Sequence, residues 1–338
     1  MKYSGIDLHS NNCVVVVSDE SDRILVTRRV PNSLPLVLQV LDSHREELIG
    51  VVVEATYNWY WLVDGLQAAG YRVHLANTAA IKRYEGLKRS GDEADAAYLA
   101  HLLRLKLLPE GYICPKPLRA LRDLSRKRLQ LVRSRTQHIL SVENIQARES
   151  GCRMNVKQVK QLDAQSVQAM PGLLPEVKLA LRANVAIIGE LGKQIDKLEC
   201  CLHERVRLSE EFKLLKTTPG IGETLATTIM LETGTVSRFA QVGKFSSYCR
   251  CVDSERVSNG KKKGEGNVRN GNAYLAWAFI EAANFARRHC PEAKRFYERK
   301  KARTNNIVAT KALAHKLARA CYHMLREHKP FEVKRCFG

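Results

Sequence analysis

Nowhere among the 338 residues does an apolar run approach the ~20 residues that a membrane-spanning helix needs, which excludes a helical membrane span. No leader-like segment stands before the first strand-like run, so a cytoplasmic chain is expected. Acid is also scarce: 35 Asp and Glu face 55 Lys and Arg, a formal net charge of +20. Such an excess favours polyanions as partners. The ten cysteines lack the usual disulfide or zinc spacing, because Cys200 and Cys201 are adjacent and Cys249 and Cys251 are one residue too close for a C-x-x-C pair. Reduced thiols are the simplest account. The length suits two modest domains joined by a helical arm, each large enough for its own core.

The basic excess is uneven. Residues 1 to 78 carry six Lys or Arg against nine Asp or Glu, whereas residues 238 to 338 carry 23 against eight. A phosphate-binding surface therefore belongs mainly to the later part, and the acids of the first part become informative. Asp7 falls near the end of a first strand in KYSGIDLHSNNCVVVVSD, residues 2 to 19. There Gly5 leaves room beside the backbone, and Asn11-Asn12 makes a turn before Val14 to Val17. A third strand is expected at 23 to 30 and a short helix at 31 to 43, where Leu34, Leu38 and Leu41 recur at helical spacing. Glu54 ends the apolar run LIGVVVEAT, 48 to 56, where a charge is costly unless paired or coordinated. An aromatic-rich helix at 57 to 70 and a strand at 71 to 77 follow. Three strands, a helix, a strand, a helix and a strand is the order of a ribonuclease-H-like α/β fold.

Asp92 and Asp95, three apart in KRSGDEADAAYLAHLLRL at 88 to 105, occupy one side of the first turn of the next helix, near its positive dipole end. Four carboxylates from two strand ends and a helix start can bind two Mg²⁺ or Mn²⁺ ions, which prefer oxygen ligands. Such an ion pair can clamp the attacking and leaving oxygens of a phosphodiester. Taken singly, each acid is better explained as a cap or a solvated surface group than as a catalytic residue. Glu93 can cap as well as Asp92, and His9 beside Asp7 reads as a local hydrogen-bond partner rather than a ligand.

Residues 119 to 150 predict a long amphipathic helix, its apolar stripe of Leu121, Leu124, Leu129, Val132 and Ile139 packing while Arg122, Arg126, Arg128, Arg133 and Arg135 face nucleic acid or water. A second long helix is expected at 176 to 211, which holds no proline. The two helices can form an antiparallel arm, a dimerising coiled coil, or a pair packed within one subunit. Next, LLKTTPGIGETLATTIMLETG at 214 to 234 reads as a helix-hairpin-helix element, in which Gly220 and Gly222 allow close backbone approach to phosphate; a purely structural turn is the alternative. The segment 253 to 288 then runs through Ser258, Asn259, Gly260, Lys261, Lys262, Lys263 and Arg269 before an apolar helix. By charge and flexibility alone it is a nucleic-acid-binding loop first and a serine nucleophile second, with Ser246, Ser247 and Ser254 as competitors. The basic helical region near the C-terminus fits packing and phosphate contact better than a membrane surface.

Over the whole chain these segments resemble insertion-sequence transposases that pair a RuvC-like domain bearing a D-E-D-D acid set with a C-terminal domain bearing a catalytic serine. The residues that carry the resemblance are Asp7 in GIDLH, Glu54 in VVVEAT, Asp92 and Asp95 in GDEADAAYLA, PGIG at 219 to 222, and SNGKKKGEGNVRNGNAYL at 258 to 275. Asn259 stands between the serine and the glycine, as in one large subgroup. The resemblance implies a RuvC-like domain at 1 to 110, a helical arm at 111 to 212 and a serine transposase domain at 213 to 338. It further implies serine attack by Ser258 on DNA, a structured element-encoded RNA that pairs with donor and target DNA, and a homo-oligomer, dimer or tetramer. In that assembly the acids of one subunit meet the serine of another. Two other readings stay open: a metal-dependent resolvase or nuclease that uses activated water, and a non-catalytic nucleic-acid-binding scaffold.

Overall fold

β-Branched residues dominate the start of the chain, and they build strands: β1 (Lys2–Leu8), β2 (Asn12–Asp19) and β3 (Ile24–Pro31). After α1 (Leu34–Asp42) come β4 (Leu48–Glu54), α2 (Tyr60–Ala68), β5 (Val73–Ala76) and α3 (Asp92–Arg104). The computed structural model describes residues 1–81, 91–252, 256–264 and 270–338. The chain divides into two units, Met1–Lys116 and Pro117–Gly338.

In the first unit the sheet order is β3-β2-β1-β4-β5. The first three strands are antiparallel neighbours, and β4 and β5 run parallel to β1. Alternation along the strands divides the side chains between two faces. One face turns Ile6, Leu8, Val15, Val17, Val51 and Val53 onto Val37 and Leu41 of α1 and Leu62, Val63 and Leu66 of α2. Each such buried aliphatic contributes about 1.5–3 kcal/mol. The other face carries Val14, Val16 and Val52 against Ala96 and Leu99 of α3. Gly5 decides how close α3 comes, because a Cβ there would overlap the Ala96 carbonyl oxygen and lie 2.9 Å from the Ala100 nitrogen.

The described elements of the second unit are mainly helical. In order they are α4 (Lys116–Ser150), α5 (Val156–Gln161), α6 (Ala164–Gln168), α7 (Pro175–Val206), α8 (Glu210–Lys216), α9 (Glu223–Thr233) and α10 (Val242–Tyr248). A hairpin of β6 (Arg256–Ser258) and β7 (Lys261–Gly264) precedes α11 (Ala273–His289), α12 (Pro291–Arg303), α13 (Asn306–Glu327) and α14 (Val333–Phe337). The long helices α4 and α7 pack within the chain: Arg128 bonds Glu199, and His138 lies 2.9 Å from the Asn184 amide oxygen. Partners that fall in sequence as they rise on the other helix make the pair antiparallel. Ile139, Val142, Leu181, Val185 and Ile188 share its small core with Val159 of α5 and Val167 of α6. The single helix expected at 176 to 211 is broken, since α7 ends at Val206 and the Ser209 hydroxyl caps α8 by accepting from the Phe212 amide. The main core of the unit lies among α8 to α13, around Phe245, Phe279, Leu275, Ile229, Leu313 and Leu317.

Candidate functional site

The first cluster follows from strand register. Ile6 faces Val53 across the parallel pair, so Asp7 and Glu54 are the next residues along at the carboxyl ends of β1 and β4. Asp7 faces Val14, and Val14 faces Arg29 on β3. Glu54, Asp7, Val14 and Arg29 thus form one row across four strands, on the face that α3 covers. The Gly5 contact brings the first turn of α3 over that row, and its Asp92 meets both Arg29 and His9. Arg29 Nη2 donates to Asp92 Oδ2 at 2.6 Å, and His9 Nε2 lies 3.2 Å from the same oxygen and 3.5 Å from Asp7 Oδ2. The Arg29 hydrogen bond, outweighing partial desolvation and helped by His9, holds the Asp92 carboxyl below the usual range.

Asp7 is buried, whereas Glu54, Asp92 and Asp95 are half-buried. Ligand atoms of Asp7, His9 and Asp92 all lie within 4.8 Å of one another. Two carboxylates and an imidazole nitrogen gathered this closely fit a divalent cation. Glu54, beside Asp7, and Asp95, one helical step beyond Asp92, lie outside this tight trio. The expected meeting of four acids is therefore drawn closely only at Asp7 and Asp92. His9, read from sequence as a bystander, sits between them. Its signal was the D-x-H spacing at a strand end; Arg29 had no signal short of knowing the register.

The second cluster surrounds Ser258. Rather than a structureless loop, the described part forms a hairpin in which Ser258 faces Lys261. Asn259 (φ 50°) and Gly260 (φ 68°) fill the turn. Two consecutive positive φ values are those of a type I′ turn, and Asn-Gly is its preferred sequence. The residue inserted after the serine is thus the one that lets the hairpin close. Ser258, Lys261 and Lys263 are exposed, with Lys262 between the two lysines on β7. Among the competing serines, Ser246 is fully buried, Ser247 is exposed on α10, and Ser254, like Arg269, lies outside the described residues.

The described chain resumes at Asn270, Gly271 and Asn272. The Asn272 side chain caps α11 by accepting from the Tyr274 and Leu275 amides, and its Nδ2 donates to Glu232 Oε2 at 2.7 Å. Glu232 of α9 is buried, and it also accepts two bonds from Arg126 of α4, at 2.6 and 2.7 Å. Arg126 in turn lies over the Tyr274 ring. Burial works against the Arg126 charge, but Glu232 outweighs it and raises the guanidinium pKa. Gly271 (φ 89°) passes 2.7 Å, measured from an added Cβ, from the Tyr248 carbonyl. Arg250 donates to the Asn270 and Gly271 carbonyls at 3.1 and 3.0 Å. Sequence reasoning missed Glu232; a lone acid near the end of an apolar helix was its signal.

The arginines of α4 do not share one outward face. Arg122 is buried, Arg126 and Arg128 are engaged by Glu232 and Glu199, Arg135 is half-buried, and Arg133 alone of the five is exposed. A helix ringed by arginine presents some of them to its own neighbours, and acids on α7 and α9 take those. In the PGIG turn, a Cβ on Gly220 (φ 85°) would overlap the Ala282 carbonyl of α11, so this glycine admits close helix packing. Gly222 is the N-cap residue of α9 and has open space beside it.

Two family models match the chain. Residues 4–145 match the DEDD-type model described as a transposase of IS110 elements, and residues 212–298 match a model described as transposase, IS116/IS110/IS902 family. No curated protein matches it. The first match holds the acid-bearing strand ends, the second holds the serine hairpin with its Glu232 and Asn272 anchor, and together they span more than half of the sequence: the chain belongs to the IS110 family of insertion-sequence transposases.

Proposed function

We propose that this transposase cuts and rejoins DNA by attack of Ser258 on a phosphodiester, at a composite site completed by Asp7, Glu54, Asp92 and Asp95. In the first step the Ser258 Oγ–P bond forms and the P–O3′ bond breaks. The hydroxyl proton ends on the departing 3′ oxygen, leaving a phosphoserine and a free 3′-hydroxyl. A different 3′-hydroxyl then reverses the step to exchange strands. The reading rests chiefly on the exposure of Ser258 at the corner of a basic hairpin whose root is fastened by buried polar bonds. An exposed hydroxyl on an anchored arm can be delivered to a phosphate bound elsewhere. Lys261 and Lys263 beside it offset phosphate charge.

Asp7, Asp92 and His9 would hold Mg²⁺ or Mn²⁺, with Glu54 and Asp95 joining once charge is neutralised. Bound there, the ion supplies electrostatic stabilisation at the scissile phosphate. On this reading a homo-oligomer brings the acids of one subunit to the serine of another, and a structured RNA paired to donor and target DNA supplies sequence choice. Gly222, Arg133 and Arg135 remain candidates for backbone contact. Element excision scored in cells tests the scheme: Asp7→Ala, Glu54→Ala and Ser258→Ala should each abolish it. Excision that survives Ser258→Ala but not Asp7→Ala would instead favour a metal-dependent nuclease using water.

A further inference from the structure

Between β4 and α2, residues 57 to 61 read Tyr-Asn-Trp-Tyr-Trp, so aromatic rings crowd a short connection. Trp59 joins the core that the sheet shares with α1 and α2, and Tyr60 and Trp61 pack against it. Tyr57 is the exception, at 81% exposed. A single exposed apolar side chain is ordinary on a protein surface; the mounting of this one is not. Tyr57 stands three residues beyond Glu54, in a turn whose Thr56 amide donates back to the Glu54 carbonyl at 2.9 Å. On its other side, Asn58 Nδ2 donates to the His9 carbonyl at 2.9 Å, and Asn58 Oδ1 accepts from Thr56 Oγ1 at 2.8 Å. Asn32 Nδ2 donates to the same His9 carbonyl at 3.0 Å. The Tyr57 turn is thus tied to the turn that carries His9 of the Asp7, His9 and Asp92 trio. Its backbone is fixed and its ring is free.

We infer that the Tyr57 ring stacks on one unpaired base of the DNA strand whose phosphate the acid site engages, the base flanking that phosphate. A tyrosine on a fixed backbone offers a flat face at small entropic cost, since only two side-chain torsions must settle. Every base has a π-face, so the contact places the strand without reading its sequence. A paired base has its faces already stacked, and an unpaired one gives up least to meet the ring. Tyr57 would therefore hold the strand in register over the metal-binding carboxylates, a task that differs from choosing the target. The inference rests on the proposed function above, and it favours DNA over RNA because the ring is mounted on the turns that carry the acid site.

The test uses the full-length protein with its structured RNA and Mg²⁺, on element-end DNA that carries 5-iododeoxyuridine at each nucleotide flanking the cut in turn. Irradiation should crosslink one of these positions to Tyr57, mapped by mass spectrometry, and Tyr57→Ala should lose that crosslink. On unmodified DNA, Tyr57→Ala should slow cleavage about tenfold, whereas Tyr57→Phe stays within about twofold. The thermal midpoint and Mn²⁺ affinity of Tyr57→Ala should match those of the unaltered protein, because the ring lies outside the core. An abasic nucleotide at the crosslinked position should slow the unaltered protein equally and Tyr57→Ala no further. Unchanged cleavage by Tyr57→Ala would overturn the inference, as would an equal loss in Tyr57→Phe or abasic and alanine losses that multiply. A Tyr57 crosslink formed only by iodouridine in the RNA would overturn the choice of DNA. Cleavage that survives Asp7→Ala would instead overturn the proposed function, and this inference with it.

Discussion

Glu232 ties Asn272, at the start of the helix that follows the serine segment, to Arg126 of α4. It is buried, and three of its bonds come from two distant places, Arg126 and Asn272. Glu232→Gln keeps the shape but leaves Arg126 with only Asp123, 4.0 Å away, as a counter-charge, and should cost about 3 kcal/mol, read as a lowered denaturation midpoint. Arg126→Met with Glu232→Gln should recover part of that loss, because the pair is removed together. In the first unit, His9→Ala should weaken Mn²⁺ binding about tenfold by electron paramagnetic resonance titration, while Asp7→Asn abolishes it. Retained Mn²⁺ affinity in Asp7→Asn would refute the metal reading. Asp7 and Glu54 stood out as candidates because a carboxylate at the end of a largely apolar strand has few inexpensive explanations. Glu232 did not, since its partner lies 106 residues away on another helix. Nor did the role of Arg126, Arg128 and Arg122: composition shows that a helix is basic, but only packing shows which cations its own acids consume.

At the scale of elements, the strand order of the first unit was readable because each apolar run was short and bounded by polar turns. The approach of α3 was readable only in part. Gly5 announced room beside β1, but not that the Ala96 carbonyl would fill it. Gly5→Ala should push α3 outward, separating Asp92 from Asp7, and cost about 1–3 kcal/mol together with Mn²⁺ affinity. The serine segment went the other way. Its glycines and lysines suggested a loop, whereas Asn259-Gly260 is the local code for a tight hairpin. Asn259→Val puts a β-branched residue where φ is positive. It should lower excision markedly while leaving the denaturation midpoint within about 1 °C, since the hairpin is exposed and apart from the core.

For the molecule as a whole, residues 1 to 78 are slightly acidic and residues 238 to 338 strongly basic, a division that on the proposed reading would separate the holding of cations from the holding of phosphate. The same division shapes its pH response. Arg104 holds the Asp22 carboxyl low, and Arg335 does so for Glu327. Their stabilisation is present above the ordinary carboxylate range and is lost as pH falls through the depressed folded values. His315 acts at higher pH: burial, then Arg319, holds its imidazole below the usual value. The unfolded chain therefore takes up that proton first, and stability should decline as pH drops below about 6.5. His315→Gln should flatten the thermal midpoint between pH 6.5 and 5 without altering the acid limb below about pH 4.

The central claim is that Ser258, rather than water, attacks DNA. Full-length protein incubated with labelled element-end DNA, its structured RNA and Mg²⁺, then resolved under denaturing conditions, reads this directly. A protein–DNA adduct that disappears in Ser258→Ala, and whose linkage maps by mass spectrometry to Ser258, is the expected result. Cleavage that proceeds undiminished in Ser258→Ala with no adduct, or an adduct that persists in that variant, would contradict it.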